Sequence, residues 1–235
     1  MEIVLDLGDV SVDVVRKDIK NLHLSVHPPT GRVRIAAPSR ASLDTIRAFA
    51  VAHVAWIKRN QRKIKMQKRE APREYVDRES HFVWGERVML YVVERDGPPS
   101  VVRRHRTLIL QMRPGATAAD KQRVVESWYR DEVRRAAQTV RAKWEKYLGV
   151  AARQTFVQRM KTKWGSCNPL TSNVRLNTDL AKKPPQCLEY VVLHELAHLR
   201  ERTHSPEFYA LLDHGMPQWR EVRRMLNDLP LTADA

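Results

Sequence analysis

Apolar residues recur along the chain with two different periods, and the change of period marks out the elements. In "LHLSVHPPTGRVRIAAP", residues 22–38, Leu22, Leu24 and Val26 alternate with polar side chains, as Val33 and Ile35 do with Arg32 and Arg34. A period of two belongs to a strand with one buried face, and Pro-Pro-Thr-Gly between the runs is turn chemistry, so the stretch predicts a β-hairpin. The period then lengthens. Ser42 stands where a cap belongs, and Ile46, Phe49, Ala50, Val54 and Ile57 fall near helical spacing in a helix starting at Leu43. It runs into "KRNQRKIKMQKREAPRE", a basic run closed by a proline, which reads as a helix end and linker with a solvated face rather than a nucleic-acid contact.

Further on, "HFVWGERVMLYVVERD" and "RTLILQM" predict more strands, with a turn around Gly97, Pro98 and Pro99. Residues 119–148 contain neither Pro nor Gly and stop at Gly149, the pattern of one long amphipathic helix with a glycine at its end. Next, "QTFVQRMKTKWGSC" and "NVRLNTDL" predict two strands joined by Asn-Pro-Leu-Thr-Ser-Asn. The fold class is therefore α+β. Three regions are expected: a hairpin and helix over 1–75, a β-rich segment over 76–118, and a unit over 119–235 that carries the chemistry.

Composition adds partners and compartment. With 235 residues and 43% hydrophobic content the chain can bury a real core. Its formal charge of +15 sets up a field that draws polyanions, so a nucleic acid or nucleotide at a basic surface is an expected partner class. Cys167 and Cys187 are the two cysteines, without a CxxC pair, which excludes a disulfide framework and an all-cysteine metal site. The opening "MEIVLDLGDV" lacks a signal-peptide pattern, and no run approaches the roughly 18 apolar residues of a membrane span. A soluble, cytoplasmic protein with no membrane partner is expected.

The chemistry lies in "VVLHELAHLRERTHSPEF", residues 191–208. Pro184 and Pro185 suit the start of a helix, and "LEYVVLHELAHL" continues it. His194 and His198 are four residues apart, and at about 100° per residue both imidazoles project from one face. Glu195 lies beside the first. This is HExxH, two neutral nitrogen ligands with an adjacent base. By chance it would arise about twice in a hundred chains of this composition, so further features must decide. A catalytic zinc wants a third protein ligand and an open position. His204 would point about 120° away were the helix unbroken, but Ser205-Pro206 signals a new helix, so a turn between them can bring His204 back as the third ligand.

HExxH followed by "THSPEF" and preceded by "KTKWGSCNPLTSNVRLNTDLAKKPPQCLEYVVLHELAHL" resembles the YgjP-like metallopeptidase domain, a family related to the SprT-like proteases. The likeness takes in Trp164, Gly165, Ser166, Cys167, the Asn177 region, the Pro-Pro helix start and the three histidines, and it extends back through "GRVRIAAP" and "VAWIKR". It implies a zincin-like catalytic domain, in which the HExxH helix packs on a small β-sheet, preceded by a β-containing portion. Zinc and peptidase activity come with it. The histidine spacing also equals that of the metzincins, but Glu201 replaces their glycine, and Met216 is better read as a core residue than as their methionine turn.

On this reading His194, His198 and His204 hold zinc and Glu195 is the general base for attack of water on a peptide bond of a protein or peptide substrate. Tyr190, one turn before His194, Trp164 and His214 are candidates to steady the ligands or the developing negative charge, and burial is the better account of the two aromatics. Cys167 is a weaker option as a ligand. His23, His27, His53, His81 and His105 lack ligand spacing. Two other functions stay open: a nucleoside triphosphate pyrophosphohydrolase, which the resemblance also suggests although no Gly-rich phosphate loop is present, and a nucleic-acid-binding protein with a structural metal. Glu195 speaks against the last, because a structural site needs no base.

Overall fold

The computed structural model describes residues 2–27, 30–66, 73–160 and 162–228. Pro28 and Pro29 of the expected hairpin turn, and residues 67–72 of the basic run, lie outside them. Among the described residues the chain is a mixed α+β protein with six α-helices and three small sheets, divided into one compact unit over Met1–Ala71 and another over Pro72–Leu229.

The first unit carries a four-stranded sheet of β1 (Glu2–Asp6), β2 (Ser11–Lys17), β3 (His23–His27) and β4 (Arg32–Pro38), in the order β1-β2-β4-β3. β3 and β4 are the expected hairpin, with Leu24 opposite Ile35 and Val26 opposite Val33. β1 and β2 are additional; the alternation Val10, Val12, Val14 that builds β2 was there to be read. The helix expected from Leu43 is two helices. α1 (Leu43–Ala52) starts at Ser42, whose hydroxyl accepts the Thr45 N–H at 3.1 Å, and stops at His53, whose ring Nδ1 lies 2.7 Å from the Phe49 carbonyl. α2 (Val54–Met66) follows. Ile46, Ala50 and Ile57 join Val12, Val14, Val33 and Ile35 in this unit's core.

In the second unit, β5 (Ser80–Val83), β6 (Glu86–Glu94), β7 (Ser100–Arg104) and β8 (Thr107–Met112) form a sheet ordered β5-β6-β8-β7, β7 being a short arginine-ended strand that the hydrophobic pattern had not separated. α3 (Ala118–Leu148) is the expected long helix. Thr117 and Asp120 form a capping box at its start, and Gly149 ends it with φ 65°, a left-handed conformation that favours glycine. Residues 154–167, expected as one strand, divide into β9 (Gln154–Gln158) and β10 (Gly165–Asn168). β11 (Asn173–Asn177) lies between them, antiparallel to β10 and parallel to β9, so β10 is an edge strand. A 3₁₀ turn (Thr178–Lys182) leads to α4 (Pro185–Ala197), α5 (Pro206–Gly215) and α6 (Trp219–Asp228).

The stretch 76–118, set apart by its pattern, shares a core with the later elements of the chain: Leu90, Leu108 and Leu110 pack in one cluster with Val125, Leu148 and Leu176. The reason is the buried face of α3, where Val125, Tyr129, Val133 and Ala137 recur every four residues and offer a common floor. Tyr129 donates its hydroxyl to the Phe82 carbonyl at 2.8 Å, tying that helix to β5. Among the described residues no helix is long and apolar enough to cross a membrane.

Candidate metal centre

α4 begins at the Pro184-Pro185 pair, where a missing N–H costs nothing. It is buried on nearly all sides, packs against α3 and against β10 and β11, and ends as His198 takes the cap position. The chain then turns. Glu201 organises the turn: its carboxylate accepts the N–H and hydroxyl of Thr203 at 3.1 and 2.9 Å, and its carbonyl lies 3.2 Å from His198 Nδ1. Ser205 caps α5 by accepting the Phe208 N–H at 3.2 Å. The residue that departs from the metzincin glycine thus has a use of its own, holding His204 at the mouth of the new helix.

This turn brings His194, His198 and His204 together. One ring nitrogen from each lies within 4.8 Å of the others, and the ring centroids stand 4.9–5.1 Å apart. Phe208, fully buried, supports all three from beneath, with centroids 5.0, 4.6 and 4.8 Å from the respective rings. His198 can donate Nδ1–H to the Glu201 carbonyl, which leaves Nε2 as a free electron pair. The Nε2 atoms of His194 and His204 are 3.2 Å apart. Two lone pairs so opposed need a shared proton or cation, and two nitrogens on a tetrahedral zinc at about 2.1 Å stand about 3.4 Å apart. Burial, then the neighbouring His198 and His204, pushes His194 down to about 3, and burial also lowers His198. Both are neutral imidazoles near neutral pH, the form that ligates. These residues fit a metal ion.

Glu195, on the adjacent face of α4, is 7% exposed. Burial raises its pKa to about 7, against the nearby Lys163 ammonium and the Cys167 backbone N–H that donates to the carboxylate. β10 can come this close because of Gly165, where a Cβ would stand 2.8 Å from Glu195 Cγ and Oε1 and from Val191 Cγ1. Asn177, itself buried, holds the segment before β10 with Nδ2 donating to the Met160 and Lys163 carbonyls at 2.8 and 2.9 Å, while Oδ1 accepts the Asp179 N–H. That segment delivers Lys163 and Trp164 to the site.

His194, His204 and Glu195 open on a cleft of about 300 Å³, walled by Trp164, Tyr190 and Trp219 with Arg223 beyond them. Tyr190 is buried yet lines the cleft, stacked on Trp219 with centroids 6.1 Å apart; burial raises its hydroxyl to about 12, so it stays an O–H donor. Trp164 lines it too, with the Lys183 ammonium 5.8 Å from its ring. His214 does not join them. It lies exposed in the last turn of α5, its Nδ1 2.7 Å from the Ala210 carbonyl, because the helix continues through it instead of turning. Cys167 is a free thiol held protonated at about 11 by burial and the Glu195 charge, which does not suit a ligand, and Met216 is packed in the core.

Gly165, Phe208, Trp219 and Arg223 were not picked out as site residues from the sequence. A glycine inside a strand signals close approach, and Trp219, Val222 and Leu226 carry the helical spacing that would have revealed α6.

A family model described as "YgjP-like, metallopeptidase domain" matches residues 20–229. Over 49 residues the chain is 39% identical to the UTP pyrophosphatase of Escherichia coli (strain K12), a match covering 21% of this chain and 29% of that protein's length. Two solved structures are similar over part of the chain. The metallopeptidase zymogen abylysin of Pyrococcus abyssi is 19% identical, with a TM-score of 0.37 over 40% of this chain and 94% of that one. The metallopeptidase zymogen jannalysin of Methanocaldococcus jannaschii is 21% identical, with a TM-score of 0.35 over 38% and 85% respectively. The family match takes in both the first unit's hairpin and the three converging imidazoles, and the chain belongs to the YgjP-like family of metallopeptidase domains.

Proposed function

We propose that this protein is a zinc-dependent peptidase of HExxH type, with His194, His198 and His204 as metal ligands and Glu195 as general base. The observation that carries this is the convergence of three imidazoles beside a buried carboxylate whose pKa is about 7. Zinc, when bound there, supplies a Lewis acid that acidifies water and polarises a carbonyl. The side chains do the rest. Glu195, poised near neutrality, takes a proton from the attacking water and returns it to the leaving amine. The Cys167 N–H and the Gly165 gap fix the direction of that carboxylate. Tyr190 offers its O–H to the oxygen that gathers charge, and the Trp164 and Trp219 walls exclude bulk water.

The test is peptide or casein cleavage by zinc-loaded protein. Glu195→Gln should retain the metal and lose roughly 10²- to 10⁴-fold in turnover; His204→Ala should lose metal by elemental analysis. Full activity of Glu195→Gln would remove the proposal.

A second reading has its own support, the 49-residue similarity to a UTP pyrophosphatase together with Lys163 and Arg223 at the cleft. Phosphate or pyrophosphate release from UTP, measured with the same two variants, separates a nucleotide hydrolase from a peptidase. Either activity can be exercised near nucleic acid, since α2 presents Arg59, Arg62 and Lys65 to solvent.

A further inference from the structure

The cleft does not end at the aromatic wall. A second groove, about 610 Å³, shares Tyr209, Trp219, Arg223 and Asn227 with it, so the two are continuous along α6. The helix explains the lining. Trp219, Val222 and Leu226 face the core, which leaves Arg220, Arg223, Arg224 and Asn227, spaced i, i+3, i+4 and i+7, in one stripe toward the groove.

The three arginines are not equivalent. Arg220 is committed: its guanidinium donates to both Asp213 oxygens at 2.5 and 3.3 Å and lies 4.5 Å over the Trp219 ring. Trp219 in turn donates its indole N–H to Asp213 at 2.7 Å and stacks on Tyr209 at 5.6 Å. Arg220 therefore buttresses the wall. Arg223 and Arg224 have no carboxylate in an ion pair among the described residues, and Asp228 is the one acid at the groove's lining. Two guanidiniums left uncompensated beside a reaction cleft are suited to a planar anion, which each can grip with two parallel N–H bonds.

Location selects among anions. Arg224 lines the groove but not the cleft, so its partner sits past Tyr209 and Trp219, away from the bond that Glu195 serves. A polyphosphate under hydrolysis would concentrate its charge at the imidazoles themselves. An extended peptide, advancing about 3.3 Å per residue, instead carries a side-chain carboxylate to the groove while its scissile bond stays in the cleft. We propose that the groove along α6 is a substrate subsite for an acidic residue of the peptide, with Arg223 and Arg224 as its specificity-determining cations. This rests on the peptidase reading and adds a substrate class to it.

The experiment uses the zinc-loaded 235-residue chain and a peptide set in which each position around the cleaved bond is in turn Glu, Gln or Lys. At one position Glu should be preferred over Gln by about tenfold or more in kcat/KM, and more strongly over Lys. In Arg224→Gln that ratio should fall toward one, and in Arg224→Glu it should invert in favour of Lys. Arg104→Gln, on the exposed face of β7, should leave the ratio as it is. Binding is read separately by fluorescence anisotropy with the Glu195→Gln protein, where the Glu peptide should bind about tenfold tighter than its Gln counterpart. Equal cleavage of all peptides, or an unchanged Glu preference in Arg224→Glu, overturns the subsite and leaves the peptidase standing. Absence of both cleavage and binding for every peptide, with UTP turned over, overturns the peptidase and the acidic subsite together.

Discussion

Gly165 sets how near the edge strand β10 comes to Glu195. Replacing it with alanine puts a methyl 2.8 Å from the Glu195 side chain and from Val191, in a buried place where neither can easily give way. Overpacking of this kind costs about 1–3 kcal/mol. The expected result for Gly165→Ala is a zinc content like that of the wild type with turnover reduced by about 10²-fold, checked by elemental analysis beside kcat. A second residue makes a prediction about pH. His81 is 3% exposed, and burial lowers its pKa below the ordinary 6.5 despite the Glu79 carboxylate 2.9 Å away. The unfolded chain takes up a proton near 6.5 and the folded chain resists until lower pH, so the unfolded state binds more protons in that window. Its neutral ring is costless above that value, and stability drains as pH falls beneath it. Urea midpoints measured from about pH 7.5 to 5.5 should decline more steeply in wild type than in His81→Gln. Of the site, His194, His198 and Glu195 were visible in the sequence because a helix converts a spacing of four into a shared face, and His204 because Ser205-Pro206 signals a new helix just after it. Phe208, Gly165 and Arg223 were not, since their roles arise from tertiary approach that no local period records.

Between α4 and α5 the chain must reverse within a few residues, and two side chains make that possible, one a helix cap and one a turn carboxylate. Ser205 holds the start of α5 and Glu201 closes the turn before it. Ser205→Ala should cost about 1 kcal/mol in a chemical denaturation series and weaken zinc retention against a chelator more than that loss of stability alone explains, because His204 is the residue immediately before the cap. Equal chelator resistance in the two proteins would separate the cap from the site. This reversal was legible, since Ser-Pro marks a helix start wherever it falls. The break between α1 and α2 was not: His53 ends α1 without glycine or proline, using its own ring against the Phe49 carbonyl. The division of 154–167 was equally hidden, because it is Asn177, some fourteen residues after Lys163, that takes the loop's carbonyls out of any ladder. β7 and α6 escaped for a different reason, being short and rich in arginine, so that charge masked their apolar positions.

For the molecule as a whole, the formal charge of +15 is a property of no single site. If Arg59, Arg62 and Lys65 on α2 each neutralise one phosphate, affinity for random-sequence DNA should fall roughly fortyfold between about 50 and 200 mM salt, following a logarithmic slope near −2.7. Anisotropy titrations of a labelled oligonucleotide check this, and a salt-independent signal would dismiss the electrostatic account. The seat beneath the imidazoles has a wider consequence. Phe208 is fully buried and touches all three rings, so packing restrains the donors, and side chains held in this way lose less ordering entropy on binding than free ones would. That apolar floor would act in metal capture without offering a ligand atom of its own.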